Sequence, residues 1–323
     1  MRLSCALVPS PHVPELAARA EALGYERVWL ADSPALYGDV WIAVAEAARA
    51  TRRIGLGTSV LIPSLRHVMV TAAAIAHVEA IAPGRLRVAF GTGFTGRRML
   101  GQKALPLAAL ERYVEQLRAL LAGEEVDVDG APCRLLHPAG VTAPLPLRTP
   151  ILLAANGAKG AELARRVGDG LICAGVVPPG AKNAAMLTMG TVLRAGETPA
   201  SPAVLERIGP AIAVVWHGTY EAMGAGVDAL PGGKGWRAEV EQFPARSRHL
   251  YVHEGHLVTL TERDRRNLAP ELAGATFTGT PQELRARAAA LAEQGVAELV
   301  YWPIGADAAR IAGELTAMRE AIV

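Results

Sequence analysis

Short continuous apolar runs alternate along this chain with stretches whose apolar residues recur at helical spacing. Arg2–Val8 reads as a first strand. Pro14–Leu23 follows as a helix with Leu16, Ala20 and Leu23 on one face, and Gly24 stands where a left-handed residue closes a helix. Arg27–Ala31, Ile54–Leu61 and Leu86–Phe90 read as strands two to four, separated by helices over Val40–Arg49 and Val70–Ile81. A longer helix is expected from about Leu107 to Leu121, then a Pro- and Gly-rich section over Gly123–Thr149 with a short hairpin around Asp127–Pro132. Ile151–Ala154 and Leu171–Ala174 read as strands five and six, with Ala161–Val167 as the helix between them, stopped by Gly168. The pattern predicts a helix in the Ala181–Arg194 region, strand seven over Ala211–Trp216 and strand eight over Glu298–Trp302. Thr280-Pro281-x-Glu283 combines an N-cap, proline at the first helical position and a capping-box glutamate, so a helix begins there and runs to Gly295. Ala308–Ala321 closes the chain as a helix.

Eight strands alternating with helices predict a (β/α)8 TIM barrel, an α/β fold, formed as a single domain over residues 1–323. A doubly wound open sheet is the rival architecture. Two insertions interrupt the alternation, after strand four (123–149) and after strand seven (218–275). The second carries helices near Ala238–Phe243 and Glu262–Leu268, and its Tyr220, Trp236 and Phe243 are expected to help cover the barrel mouth.

At 323 residues the chain fits one such barrel. Its net charge of +2 is spread over scattered Arg-Arg pairs, which argues against a nucleic-acid interface. Cys5, Cys133 and Cys173 are isolated, so neither a disulfide framework nor a cysteine metal site is expected. The prolines at 9, 11 and 14 cut short the first apolar run, and no run reaches the roughly 18 residues a membrane span needs. A cytoplasmic location is expected.

In a barrel of this kind ligands bind at the carboxyl ends of the strands. Read in order, those ends are Pro9-Ser10, Asp32-Ser33, Thr58-Ser59-Val60, Gly91-Thr92-Gly93, Asn156-Gly157, Gly175-Val176, Trp216-His217-Gly218 and Trp302-Pro303. The set is small, polar and nearly uncharged, which suits a large planar cofactor better than a metal or a hydrolytic centre. Gly91-Thr-Gly-Phe-Thr-Gly96 also satisfies G-x-G-x-x-G. It follows the fourth strand, however, and the acidic residues about 20 positions on, Glu111 and Glu115, fall inside a helix, contrary to a dinucleotide fold. Asn156-Gly157-Ala158-Lys159 lies between a strand and a helix start, where backbone N–H groups and a lysine make an anion site; an ordinary turn capped by Asn156 is the alternative. His249-x-x-x-His253-x-x-His256 has metal-like spacing, but Gly255 would break a helix there; these histidines are expected to cap or solvate the insertion, and no metal site is expected. His217, at the expected end of strand seven, is the histidine placed to reach a ligand.

The stretch from Thr51 to Gly96 resembles the bacterial-luciferase-like (luciferase-like monooxygenase) superfamily. The likeness is carried by Thr51, Arg53–Leu56, Gly57-Thr58, Val60, Arg66-His67, Pro83-Gly84-Arg85, Gly91 and Gly93, with Val68 standing where the family usually has proline. The 155–160 turn resembles the family's phosphate-binding turn, with Ala158 in place of proline. The resemblance implies a flavin-type ring in the barrel mouth, with its phosphate near Thr92-Gly93 and Gly157–Lys159. It also implies a non-prolyl cis peptide bulge at Ser59-Val60 against the ring, and a homodimer. Members that use the deazaflavin coenzyme F420 commonly carry Asp-His after strand two as an acid/base candidate. Here the pair is Asp32-Ser33, so that role passes to His217 or Asp32, or the reaction rests on positioning. Ser59-Val60 resembles the pair in deazaflavin-using relatives. The expected activity is therefore F420-dependent hydride transfer to a small organic substrate. The alternative is a two-component monooxygenase using reduced FMN and dioxygen, served by a separate flavin reductase; a third reading is a cofactor-free barrel acting as a binding module.

Overall fold

The computed structural model describes residues 1–181 and 183–323. Eight parallel strands close a barrel in sequence order: β1 (Arg2–Leu7), β2 (Arg27–Leu30), β3 (Gly55–Leu61), β4 (Leu86–Phe90), β5 (Ile151–Ala154), β6 (Gly170–Ala174), β7 (Ala184–Met189) and β8 (Val296–Trp302). The barrel closes where Ser4 pairs with Val300 and Cys5 with Val28. Outside it lie α1 (Val13–Ala22), α2 (Val40–Ala50), α3 (Val68–Ile81), α4 (Leu107–Ala122), α5 (Ala158–Val167), and the two closing helices Pro281–Glu293 and Ala308–Ile322. The expected punctuation is present. Gly24 has φ 76°, and Thr280 and Glu283 form the capping box. Asp129 and Gly130, both with positive φ, turn the Val126–Val128/Ala131–Cys133 hairpin as a tight two-residue loop requires.

Strand seven is displaced from its expected place. Ala184–Met189, expected as part of a helix, is β7 and pairs with β6 and β8. Ala-Ala-Met-Leu-Thr-Met is apolar throughout and rich in helix formers, and periodicity cannot separate such a run from a buried strand. Conversely, Ala211–Trp216 lies inside a long helix, α6 (Pro202–Met223). Val204, Ile208, Ile212 and Trp216, four residues apart, are fully buried on its inner face, and this helical stripe outweighs the β-branched local composition. The insertion after strand seven therefore starts near residue 190, and among the described residues no helix joins β6 to β7.

Among the described residues three apolar clusters result. The largest lies between barrel and helices. The second, built on Trp216, Trp236, Ile208 and Val252, is the insertion's own core. The third fills the barrel interior with Ala6, Trp29, Ala89, Ile172 and Val300. Toward the amino-terminal ends of the strands, Glu298 is buried and accepts from Ser4 Oγ (2.6 Å) and Trp29 Nε1 (2.8 Å). Trp29 explains Gly57: a Cβ there would lie 2.3 Å from Trp29 Cε3. Gly57→Ala is expected to cost at least about 1–3 kcal/mol as overpacking, read from denaturant unfolding; an unchanged midpoint would mean the indole can move aside. No described helix is long and apolar enough to cross a membrane.

Candidate active site

At the carboxyl ends of the strands a cavity of about 290 Å³ opens into the barrel mouth. Its floor and walls come from strand ends: Asp32 and Ser33 after β2, Ser59 and Val60 on β3, Gly93 after β4, Ala154 and Asn156 at β5, Ala174 on β6, Met189 on β7 and Trp302 on β8. The β3/β4 register shifts between Thr58 and Leu61, and the Ser59–Val60 peptide is cis, as expected. Thr58 turns its hydroxyl to β4, where it accepts from Ala89 N (3.1 Å). Gly91 makes room for Val60: a Cβ at 91 would lie 2.7 Å from Val60 Cγ2.

The insertion supplies the cover. Val214 of α6, His256 and Leu257 close the cavity from above, joined by Tyr37 and Phe94. Tyr37 is fixed by donating to the His256 carbonyl (2.6 Å). The aromatic residues expected to form this cover do not reach it. Trp236 is wholly buried in the insertion core with Tyr220 against it, and Phe243 stacks on Tyr251. Large aromatic rings anchor the insertion to itself and leave smaller side chains at the mouth.

The electrostatics of the wall are simple. Asp32 is buried and its Oδ2 accepts from Arg66 Nη1 (2.7 Å), while Arg66 Nη2 reaches Asp39 (2.8 Å). Burial pushes the Asp32 carboxyl above its ordinary range, and the Arg66 hydrogen bond opposes the shift. Burial also raises the Tyr37 hydroxyl and pushes the Cys173 thiol up to about 11, and it lowers the His256 imidazole to about 4. Among the described residues the cavity lining carries one carboxylate, Asp32, paired with Arg66, and its other groups are uncharged near neutral pH.

The strand-end residues divide. Asp32, Ser59, Val60, Gly93 and Asn156 line the cavity. Ser10 lines a wider neighbouring cleft of about 700 Å³ that shares Tyr37 and His256 with it. Gly175 faces a separate hollow beside Phe277, and Val176 points to solvent. Thr92 gives its carbonyl to Leu105 N (2.8 Å). Gly157, Ala158 and Lys159 are exposed at the start of α5; Asn156 does not cap that helix but accepts from Ala174 N (3.0 Å), so the first N–H groups of α5 have no side-chain cap. His67 starts α3 by accepting from Met69 N.

His217 is not at a strand end. It sits on α6, fully buried, with Nδ1 3.4 Å from Nδ1 of His256, and it approaches the cavity only through that ring. His253 and His256, expected as solvated or capping residues, are buried beside it, whereas His249 lies apart near Gly101. Tyr37, Phe94, Val214, His256 and Leu257 are cavity residues that strand-end reading misses, because they come from loops and the insertion, and Met189 is missed because strand seven lies elsewhere than expected. For His256 a signal existed in the spacing to His253.

Residues 7–298 match the family described as luciferase-like monooxygenase. The chain belongs to that family. Among curated proteins it is 34% identical over 175 residues to an F420-dependent glucose-6-phosphate dehydrogenase of Beutenbergia cavernae, covering 48% of this chain and 49% of that one. It is 31% identical over 184 residues to a 5,10-methylenetetrahydromethanopterin reductase of Methanolobus tindarius, covering 53% of each. The chain thus spans about half the length of the curated relatives it matches. Among solved structures, the coenzyme F420-dependent tetrahydromethanopterin reductase of Methanopyrus kandleri superposes with a TM-score of 0.69 at 16% identity, over 99% of this chain and 98% of that one, a likeness of fold.

Proposed function

We propose that this protein is a coenzyme F420-dependent oxidoreductase that exchanges a hydride with a small organic substrate in the barrel mouth. The observation that carries this reading is the cavity wall: apolar and hydroxyl groups at strand ends with no unpaired charge among the described residues, which suits a neutral planar ring. The curated relatives named above support the choice of coenzyme. At about 290 Å³ the cavity lies at the lower edge of the range of about 300–1,000 Å³ typical of ligand pockets. It suits the ring and a small substrate, while a phosphorylated tail has to leave through the mouth. The uncapped start of α5, with Lys159 beside it, is the anion site we assign to that tail, with Thr92-Gly93 as the second contact.

When bound, the deazaflavin ring supplies the hydride chemistry. Val60 and Ser59 would back the ring, Asn156 holds the β5 and β6 ends in register, and Phe94, Val214 and Leu257 exclude water above it. The Arg66 pair keeps Asp32 engaged, so we assign Asp32 to holding the mouth together and give the protein's contribution to the reaction to positioning. The acid/base role considered for His217 loses its geometric basis, since that ring lies behind His256.

The reading is tested by incubating the protein with reduced F420 under argon and with reduced FMN under air. Saturable F420 binding without dioxygen uptake is expected; dioxygen consumption with reduced FMN would make it a monooxygenase, and no binding of either would leave a binding module. Lys159→Ala is expected to weaken F420 binding by about 1–3 kcal/mol, the range for a charge-assisted hydrogen bond, with unfolding unchanged. An unaltered dissociation constant would leave Thr92-Gly93 as the sole phosphate contact.

A further inference from the structure

Three buried imidazoles meet under the cover of the barrel mouth, drawn from two separated parts of the insertion. His217 comes from the inner face of α6, His253 from the end of the short helix His249–Val252, and His256 from the turn that follows, where Gly255 has φ 71°. Their exposures are 1%, 0% and 8%. His217 Nδ1 and His253 Nδ1 each lie 3.4 Å from His256 Nδ1, and one ring nitrogen of each residue lies within 4.8 Å of the other two.

Those distances have a definite chemical meaning. A neutral imidazole Nδ1 presents either one proton or one lone pair, so His256 Nδ1 cannot satisfy both neighbours at once. Among the described residues, the Nε2 atoms of His217 and His253 are buried without a hydrogen-bond partner. A histidine cluster arranged for packing alone would therefore leave several polar groups unmet, each at a cost. A tetrahedral metal ion with nitrogen ligands at about 2.0–2.1 Å has ligand–ligand edges of about 3.3–3.4 Å, which matches two edges of the triad.

The surroundings agree. Metal-bound histidines commonly direct their second nitrogen at a carboxylate. Glu221, one turn beyond His217 on α6, has Oε1 3.8 Å from His253 Nε2 and is itself held by Arg98 (3.0 Å). Trp236 packs against His217 and Phe94 meets His253 edge-on, a dry aromatic shell that favours neutral nitrogen ligands.

We infer that His217, His253 and His256 form a binding site for one divalent transition-metal ion of the zinc type. The ion ties α6 to the 253–256 turn and so holds His256 and Leu257 over the ligand cavity. Three protein ligands leave a fourth position for water or another small donor, and His256, which lines the cavity, marks the side from which it arrives. The inference stands apart from the choice of coenzyme, because its test reads the metal itself.

The full-length protein, stripped with a chelator, is titrated with Co²⁺ and followed by visible absorption. The expected result is the intense band pattern of tetrahedral Co²⁺, saturating at one ion per chain and displaced by Zn²⁺. His217→Gln or His253→Gln is expected to weaken this binding more than about 100-fold, beyond the about 10–100-fold typical of losing an outer-sphere partner. His249→Gln, outside the triad, is expected to leave it intact. Only weak octahedral Co²⁺ absorption in the wild type, or tetrahedral binding that survives both triad substitutions, would overturn the proposal. Should a triad variant fail to fold, the wild-type spectrum and stoichiometry decide alone.

Discussion

Ala174→Trp is expected to abolish coenzyme binding while leaving the barrel folded. Ala174 ends β6 with its methyl on the cavity wall, half-exposed, and its backbone N–H is already held by Asn156. An indole there would project into a space of about 290 Å³ that has to accept both ring and substrate. The loss should reach at least about 1,000-fold in affinity, equivalent to about 4 kcal/mol. Leu136→Trp, at a surface position 73% exposed, is the control and should bind normally. Anaerobic titration with F420 measures both. Undiminished binding to Ala174→Trp would move the ring out of this cavity, most simply into the wider cleft beside Ser10.

Arg66→Met should destabilise the fold by about 3–5 kcal/mol, the penalty for leaving one member of a buried ion pair without its partner. Asp32 is 4% exposed, and no other basic side chain bonds to it among the described residues. The loss has a pH signature. Without Arg66 the Asp32 carboxyl is pushed further up by burial. Between the unfolded carboxyl pKa of about 3.9 and that raised native value, the native state keeps a proton the unfolded state has lost. Unfolding free energy therefore falls as pH rises through this window, and the deficit against wild type should be larger at about pH 8 than at about pH 5. Urea unfolding at the two values checks this. Adding Asp32→Leu should recover most of the loss and remove the pH dependence; a single variant as stable as wild type would show that Asp32 finds another partner.

Local chemistry made most of the barrel legible. Capping and turn residues act within a few positions, so Gly24, Thr280-Pro281-x-Glu283 and the hairpin around Asp127–Pro132 could be read directly and stand as expected. Strand-end residues such as Asp32, Ser59, Val60, Gly93 and Asn156 were identifiable because a closed parallel barrel brings all its carboxyl ends to one face, and the structure gathers them around one cavity. The turn before Lys159 was legible as a strand-to-helix junction, and the helix starts there without a side-chain cap; its use as an anion site is the proposal made above.

What failed depended on partners distant in sequence. Ala184–Met189 and Ala211–Trp216 exchanged roles because an all-apolar run acquires strand or helix identity from what flanks it: β6 and β8 in one case, the insertion core in the other. That exchange carried His217 from a strand end to the inner face of a helix. The same folding brought it to His253 and His256, and no spacing rule could join residue 217 to a turn 36 positions on. The barrel, its mouth and the nearly uncharged character of the mouth's residues follow from short-range periodicity and residue type, which the amino-acid sequence displays directly. Tertiary structure alone decided which side chains roof the cavity, which cation neutralises Asp32 and which histidines meet, because each is a contact between segments whose separation carries no local signal.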